Sequence, residues 1–398
     1  MDLSTLDRAV SLADTPFYLF DTDEAASQLA KLRAALGGRA KLCYAMKANP
    51  FLTGALSGEA DYLEVCSPGE LRICCRAGTP MEKVVLSGVL KKPDDMEEVF
   101  EKNLPVGTFT VESQAQWTLL SRCARKYSRT IRVLLRLTSG AQFGMEEPAL
   151  LRLLEQAPEK PELCIDGIQF FSGTQKRSEA RVREELERLD AFLEQLRAQY
   201  GFCARKLEYG PGFPVDYFGA DPALEQNMLD CLAGCLARLR FGGEVVLEMG
   251  RGIAASCGSY VTSVADVKSV GGENLCIVDG GIHQLVYDGQ QLGMQTPPVV
   301  QLRGGGELKN WTVFGALCTK NDVLLREHPF SGLRPGSLLV FEKAGAYAVT
   351  EGIALFLSRE LPQVLLYSKK DGFRTARKRT PTDEWNDIKT KENLKWNS

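Results

Sequence analysis

The chain has 398 residues, a formal net charge of −3 and 44% hydrophobic residues. This length suits one large domain or two moderate ones, and the near-neutral charge excludes binding of nucleic acid through a broad basic surface. No stretch reaches the roughly 20 apolar residues of a membrane span, so no membrane insertion is expected.

Cysteine usage and the first residues point to a reduced compartment. Twelve cysteines lie mostly in apolar or helical contexts, without CxxC pairs or histidines at the spacing of a zinc site. The opening segment MDLSTLDRAVSLADTP is amphipathic and acidic, unlike a signal or transit peptide. We therefore expect a cytoplasmic protein that uses cysteine as a small core residue and holds no metal.

Short apolar strands alternate with amphipathic helices from about residue 24 to residue 265. A helical pattern with a glycine stop at 25–37 precedes the strand AKLCYAM at 40–46, and the same alternation recurs along the segment. About eight strands in this order favour a parallel (β/α)8 barrel. An open doubly wound sheet is the alternative, but no GxGxxG sequence opens a helix after a strand.

Short strands with glycine-rich turns follow, as in SYVTSVADVKSV and GSLLVFEKAGAY. This pattern predicts an antiparallel β-domain, which the early strand TPFYLFD is expected to join. The segment LRGGGELKN is interpreted as a hairpin connection. The predicted domains are a barrel at 24–265, a β-domain formed by 1–23 and 266–380, and a polar tail at 381–398.

Lys47 lies at the end of a predicted barrel strand, in YAMKANP, where Asn49-Pro50 prevents a helix. Active sites of parallel barrels lie at the carboxyl ends of the strands. A lysine in an apolar setting loses its proton more readily and can then attack an aldehyde. A surface lysine in a turn is the alternative interpretation.

Two further strand ends carry matching chemistry. EYGPGFP places Gly210 and Gly212 after a strand, where backbone N–H groups can hold an anion. EVVLEMGRG ends another strand with Glu248, Gly250 and Arg251. An ordinary turn and a structural Glu–Arg pair are the alternatives. Together, an amine, N–H donors and a carboxylate are the parts of a pyridoxal phosphate site.

Nine short segments occur in an order that identifies a family: YAMKANP, LEVCSPGEL, QFGM, FFSGTQ, YGPGFP, LEMGRGIAASCGSYVTSV, IVDGGIHQL, CTKNDVL and GAYAVT. With them the chain resembles the fold-type III pyridoxal-phosphate amino-acid decarboxylases, which include ornithine and diaminopimelate decarboxylases. The resemblance implies an alanine racemase/ornithine decarboxylase-like barrel followed by a β-domain. It also implies pyridoxal 5'-phosphate as cofactor and a homodimer with shared active sites.

The resemblance also implies roles for individual residues. Lys47 would bond the cofactor aldehyde, and Glu248 would bind the pyridine nitrogen. Cys318 of a second subunit, or Lys47, would protonate the carbanion left when carbon dioxide leaves a poorly solvated site. Ser67 and Glu70 match a segment on the cofactor side. The remaining cofactor contacts implied are Glu64, Phe171, Thr174, Gly210, Gly212, Gly250, Arg251 and Tyr347.

Several positions depart from the family pattern. Phe171 stands where many members have a histidine stacked on the cofactor ring; a phenyl face can stack but cannot carry a charge. Glu64 replaces the usual aspartate, and Gln142 replaces a frequent lysine. The change at position 171 is expected to retune the site without abolishing it.

Thr319, after Cys318, bears on the substrate. Ornithine and diaminopimelate decarboxylases carry an acidic residue there for a distal ammonium, and losing that partner costs roughly 3–5 kcal/mol. IHQLVYDG also lacks the arginine that diaminopimelate decarboxylases use for the distal carboxylate. His283 in this segment is either a substrate or interface contact or a satisfied structural histidine.

SGTQ, DGGIHQ and LCT resemble a specialised branch, one member of which decarboxylates a glutamyl group on an acyl carrier protein. We therefore predict a decarboxylase for a specialised or carrier-linked amino acid. Three alternatives remain: an ordinary ornithine/diaminopimelate-type decarboxylase, an amino-acid racemase and a non-catalytic family member.

Overall fold

The computed structural model describes residues 1–290 and 293–388. The chain divides into two compact units, which we call the sheet unit (Met1–Asp23 and Ser256–Ser398) and the barrel unit (Glu24–Ala255). Residues 256–265, assigned to the barrel from the sequence, therefore lie in the sheet unit. Positions 389–398 of the predicted polar tail lie outside the described residues.

The sheet unit begins with helix α1 (Leu3–Val10) and strand β1 (Phe17–Asp21), and helix α2 (Thr22–Ala35) leads into the barrel unit. The barrel strands are β2 (Lys41–Ala45), β3 (Tyr62–Val65), β4 (Val84–Leu86), β5 (Thr108–Val111), β6 (Ile131–Leu137), β7 (Leu163–Phe171), β8 (Lys206–Gly210) and β9 (Glu244–Met249). The helices between and after them are α3 (Thr53–Leu56), α4 (Pro68–Arg76), α5 (Pro93–Glu101), α6 (Gln114–Lys126), α7 (Glu147–Gln156), α8 (Glu179–Tyr200), α9 (Leu224–Leu236) and α10 (Arg251–Ala254).

The eight strands β2–β9 form a closed parallel barrel, which confirms the predicted architecture. Closure comes from pairing of β2 with β9, in which Cys43 lies opposite Glu248. The strands are apolar and buried on both faces, as the helix-covered sheet of a barrel requires. The carboxyl ends of all eight strands meet at one mouth, where functional side chains are expected.

The sheet unit continues with β10 (Gly258–Val270), β11 (Glu273–Val278), β12 (Val299–Leu302), β13 (Leu308–Phe314), β14 (Val323–Ser331), β15 (Leu338–Phe341), β16 (Gln363–Ser368), β17 (Gly372–Arg377) and helix α11 (Asp383–Asn386). They form a nine-stranded sheet that includes β1, so the expectation that TPFYLFD joins this domain is confirmed.

The sheet is mixed: most of its described strand pairs are antiparallel, as expected, and two pairs are parallel. β1 is parallel to β16, and β11 is parallel to β13. Long connections, one of them carrying β12, allow these parallel pairs. The LRGGGELKN segment is not a hairpin turn, because β12 pairs with β15 and β13 pairs with β11 and β14.

Within residues 1–290 and 293–388, no helix combines the length and apolarity needed to cross a membrane. All twelve cysteines lie in the described residues as free thiols.

Candidate active site

Lys47 extends from the mouth of the barrel because the backbone after β2 is fixed by local bonds. The residue lies in a 3₁₀ turn, Met46–Ala48, directly after the strand. The buried Asn49 side chain accepts the Phe51 N–H at 3.0 Å, and the Tyr44 hydroxyl donates to the Asn49 carbonyl at 2.9 Å. These bonds explain why a buried strand ends on a lysine: the turn holds its side chain over the strand ends.

Two carboxylates contact the Lys47 ammonium. Its Nζ lies 2.9 Å from Glu64 Oε2 and 3.0 Å from Glu248 Oε1. The Glu64 and Glu248 side chains are 1% and 6% exposed, whereas that of Lys47 is 38% exposed. The expectation of an apolar lysine setting was wrong, because strands on both sides of β2 bring carboxylates to it. The arrangement stabilises a protonated amine in the protein without a ligand.

Glu64 and Glu248 ionise at very different pH values although both are buried. Burial opposes ionisation of Glu64, but the Lys47 charge and hydrogen bonds from Glu248 and Lys47 outweigh it and lower the pKa of Glu64. Burial, followed by the Glu64 charge, raises the pKa of Glu248. Two carboxylates that share one cation cannot both ionise easily, so the pair retains a proton at Glu248.

Phe171 belongs to the same mouth. It ends β7, and its ring centroid lies 5.9 Å from Lys47 Nζ. A Cβ placed on Gly210, at the end of β8, would lie 2.4 Å from Cδ2 of Phe171. The absence of a side chain at Gly210 therefore leaves room for the phenyl ring beside the lysine.

The two loops at the ends of β7 and β8 are fixed against each other. Gly212 has φ +60°, and a Cβ there would lie 2.0 Å from the carbonyl oxygen of Gly173. Gln175 exchanges two hydrogen bonds with the Val215 backbone, at 2.7 and 3.2 Å. Thr174 is exposed in this pair of loops. Glycine at position 212 thus permits a close approach that any side chain would prevent.

Arg251 begins α10, next to Gly250 at the end of β9. The Arg251 side chain is buried and donates from Nη1 to the Tyr217 hydroxyl at 3.0 Å. A Cβ on Gly252 would lie 2.9 Å from the Phe213 ring. The arginine therefore fixes the glycine-rich loop after β8 to the start of α10. In this way it supports an anion site, in addition to the direct cofactor contact that the family resemblance implies.

Ser67 and Glu70 have a structural function that sequence reasoning missed. The Ser67 hydroxyl accepts the Glu70 N–H at 3.1 Å, and Glu70 Oε2 accepts the Cys66 N–H at 2.6 Å. This pair resembles a capping box at the start of α4, except that Glu70 accepts the N–H of Cys66, one residue before the N-cap Ser67. The sequence S-P-G-E carries that signal, so the cap was predictable.

Sequence reasoning also missed a buried ion pair. Arg136 Nη1 lies 3.2 Å from Glu112 Oε1, and both side chains are almost completely buried. Glu112 also accepts the Gly144 N–H at 3.1 Å, and the Arg136 guanidinium lies 4.8 Å from the Phe143 ring centroid. Gln142, before Phe143, is exposed. Glu112 and Arg136 lie at the ends of strands β5 and β6. Charged residues at neighbouring strand ends are the sequence signal from which this ion pair could have been predicted.

Cys318 lies in the sheet unit, in an exposed loop between β13 and β14. The buried Asp322 carboxylate accepts the N–H groups of Leu317 and Ile282 at 2.8 Å each. Asn321 N–H donates to the Thr319 hydroxyl at 3.4 Å. The loop is therefore ordered by Asp322 and presents the Cys318 thiol to solvent.

Tyr347 and His283 are the other predicted site residues of the sheet unit. Tyr347 has φ +67°, a strained value for a tyrosine, and its carbonyl accepts the Glu351 N–H at 2.9 Å. His283 is 2% exposed, and neither ring nitrogen has a hydrogen-bond partner among the described residues. Burial, with the Arg359 charge, lowers the pKa of His283 to about 4. His283 is thus neutral and buried, without the bonds of a satisfied structural histidine.

The barrel mouth fits pyridoxal phosphate by the chemistry of its groups. Lys47 supplies the only kind of side chain that condenses with an aldehyde, and Glu248 supplies a carboxyl group. The loop at 210–212 follows β8 at the same mouth, and backbone N–H groups of such a loop are the donors that a phosphate needs. Arg251 adds a positive charge next to that loop.

Comparisons with known proteins agree with this site. A family model described as "Pyridoxal-dependent decarboxylase, pyridoxal binding domain" matches residues 22–255. The L-glutamyl-(BtrI acyl-carrier protein) decarboxylase of Niallia circulans is 26% identical over 400 residues, covering 93% of this chain and 92% of that protein. Diaminopimelate decarboxylase of Vibrio cholerae is 28% identical over 327 residues, covering 78% of this chain and 77% of its own.

Solved structures share the fold. The diaminopimelate decarboxylase of M. jannaschii superposes with a TM-score of 0.85 at 20% identity, covering 96% of this chain and 94% of that one. The family model covers more than half of the chain and coincides with the barrel that holds Lys47, Glu64 and Glu248. The chain belongs to the pyridoxal-dependent decarboxylase family, and its barrel is the domain that binds pyridoxal phosphate.

Proposed function

We propose that this protein removes the α-carboxyl group of a specialised amino acid whose distal end is modified or attached to a carrier protein. The proposal of a decarboxylase rests on the position of the Lys47 amine between two buried carboxylates at the barrel mouth. The choice of substrate rests on Thr319, which has no charge to offer a distal ammonium.

The residues divide the work of the reaction. Pyridoxal phosphate, when bound, supplies an electron sink. Lys47 provides the amine for its aldehyde, and Glu248 holds a proton at the ring nitrogen. Phe171 covers the mouth beside the lysine with an apolar face and limits water there. The Cys318 thiol delivers a proton to the α-carbon after carbon dioxide leaves.

The proposed assembly is a homodimer. Cys318 lies in an exposed, ordered loop, as a residue donated to another subunit would require. In this proposal each active site takes its cofactor residues from one barrel and Cys318 from the second copy. A monomeric protein with full activity would contradict this part.

Two features support a carrier-linked substrate over diaminopimelate. Placing an unpaired ammonium or carboxylate in a closed site costs several kcal/mol. Thr319 offers no negative charge to a distal ammonium, and IHQLVYDG lacks the arginine for a distal carboxylate. Coverage does not separate the two substrates, because diaminopimelate decarboxylases match over stretches as long as that of the Niallia circulans decarboxylase. Diaminopimelate itself is the second candidate, because several relatives of similar identity act on it.

The test is release of carbon dioxide by the purified, cofactor-loaded protein across a substrate panel. The panel holds free L- and D-amino acids, diaminopimelate, ornithine, and glutamyl groups on an acyl carrier protein. We expect release only from the carrier-linked or distally modified substrates. Release from a free diamino acid would contradict the interpretation of Thr319. Exchange of the α-proton in heavy water without carbon dioxide would indicate a racemase.

A further inference from the structure

A third carboxyl group lies inside the barrel, and the proposed reaction does not use it. Glu208 is on β8 and is 0% exposed. Its Oε1 accepts a hydrogen bond from Gln169 Nε2 at 2.7 Å, and the two residues are opposite each other in the β7–β8 pairing. Gln169 is also buried, at 1% exposure, and its Nε2 lies 3.4 Å from Ser87 Oγ.

The other two oxygens of this pair have no partner if Glu208 is ionised. Glu208 Oε2 and Gln169 Oε1 are both buried without a hydrogen bond among the described residues. Both are acceptors, and a buried unsatisfied acceptor costs about 1–3 kcal/mol. A proton on Glu208 Oε2 can donate to Gln169 Oε1, which gives an acid–amide pair joined by two hydrogen bonds. One proton thus satisfies both orphaned atoms.

The charges around Glu208 favour the same state. Burial, followed by the charges of Glu248 and Glu64, raises the pKa of Glu208 to about 8. Lys206 acts in the opposite direction, but it lies 3.3 Å from Glu244 and 4.0 Å from the Tyr62 ring centroid. Glu208 and Glu248 therefore both resist ionisation, whereas the pKa of Glu64 is lowered.

We infer that Glu208 is a neutral carboxylic acid paired with the Gln169 amide, and that it is a positioning residue for Glu248. An ionised Glu208 would add a second negative charge beside Glu64 and would hold a proton on Glu248. Its neutrality leaves Glu248 able to ionise under the cofactor ring. The part that concerns Glu248 rests on the proposed function, whereas the neutral acid does not.

The protonation state can be measured on the full chain without cofactor. Infrared spectra at pH 7 of the wild type and of Glu208→Gln should differ by one C=O band of a protonated carboxyl group, that of Glu208, while a band from Glu248 is expected in both. Gln at this position can keep both hydrogen bonds. The thermal midpoint of the wild type should therefore fall, relative to Glu208→Gln, as the pH rises from about 5 to 8. No band difference, or a wild-type midpoint that does not fall relative to the variant, would overturn the neutral acid.

The positioning role needs the cofactor-loaded protein. The absorbance of the lysine-bound cofactor should show an alkaline transition near the pKa of Glu208 in the wild type, and Glu208→Gln should lack it. Glu208→Ala, which deletes both hydrogen bonds, should also lack the transition but lose stability. Identical titrations in wild type and Glu208→Gln would overturn the positioning role and leave the neutral acid intact. Failure to form the lysine-bound band at all would contradict the proposed function instead.

Discussion

Replacing Glu64 by Gln isolates the electrostatic coupling on which the site depends. Glu64 and Glu248 lie 2.9 and 3.0 Å from the same Lys47 nitrogen. Their oxygens are therefore within about 6 Å of each other, where two unit charges interact by about 3 kcal/mol at an effective dielectric constant of roughly 20. Removing the Glu64 charge should lower the pKa of Glu248 by about two units. The variant also leaves Lys47 with one carboxylate partner, which acts in the same direction.

The shift changes how stability depends on pH. In the wild type the folded protein holds a proton on Glu248 that the unfolded chain releases near its ordinary, lower pKa. Stability therefore falls as the pH rises from the unfolded pKa toward the folded one. In Glu64→Gln the two pKa values approach each other, so this fall should shrink. Because the Glu64 charge also raises the pKa of Glu208, the comparison is made in a Glu208→Gln background, where that group no longer titrates.

The assay is urea unfolding of Glu208→Gln, with and without Glu64→Gln, at intervals between about pH 5 and pH 8, without cofactor. Glu98→Gln is the matched control: Glu98 is a partly exposed partner of Lys102, and its pKa is lowered by that bond, so it titrates below this window. Carboxyl ¹³C shifts, with Glu248→Gln for assignment, give the pKa directly. The reasoning is refuted if the proteins with and without Glu64→Gln lose stability equally with rising pH.

Three further substitutions test individual parts of the structure. Gly212→Ala should cost about 1–3 kcal/mol in backbone strain and weaken cofactor binding more than tenfold, because its Cβ would meet the Gly173 carbonyl. Gly219→Ala is the control for strain alone, since Gly219 has φ +68° and no atom within 4 Å of the added Cβ. Equal cofactor affinities of the two variants would contradict the role of the close approach. Asp322→Ala should lower stability by about 1–3 kcal/mol for each N–H group left without its acceptor, and should speed alkylation of the Cys318 thiol in the same loop. An unchanged alkylation rate would show that the order of the loop does not depend on Asp322. Ser67→Ala should cost about 1 kcal/mol of stability with cofactor affinity unchanged, whereas a large affinity loss in a cofactor titration would restore the contact implied by the family resemblance.

The sequence predicted the residues that depend on local patterns. Lys47 and Gly212 each follow an apolar strand, Glu248 lies near the end of one, and parallel strands in a barrel bring their carboxyl ends to one mouth. These groups together indicated a pyridoxal phosphate site, and the family resemblance implied the same cofactor. The roles of Thr174, Tyr347 and Cys318 came from resemblance alone and stay predictions.

What could not be predicted depends on pairing between distant segments. The carboxylate on one side of Lys47 comes from β3 and that on the other from β9, so the ionic setting of the lysine is a property of the closed barrel. The Arg136–Glu112 pair forms only after β5 and β6 lie side by side. The parallel pairing of β11 with β13 follows from a long connection, which alternation within each strand cannot reveal.

The pairing register of β2 explains why closure of the barrel is linked to the contacts of the Lys47 amine. Ala45 lies opposite Glu64 on β3, and Cys43 lies opposite Glu248 on β9. Lys47, two residues beyond the end of this register, is therefore within reach of both carboxylates only when the last strand has joined the first. A buried carboxylate without its cation is destabilised by several kcal/mol, so Lys47 offsets a cost that closing the barrel creates. The amine that the cofactor needs is thus also the counter-charge that the closed barrel needs, and neutralising Lys47 should weaken the fold as well as the binding of pyridoxal phosphate.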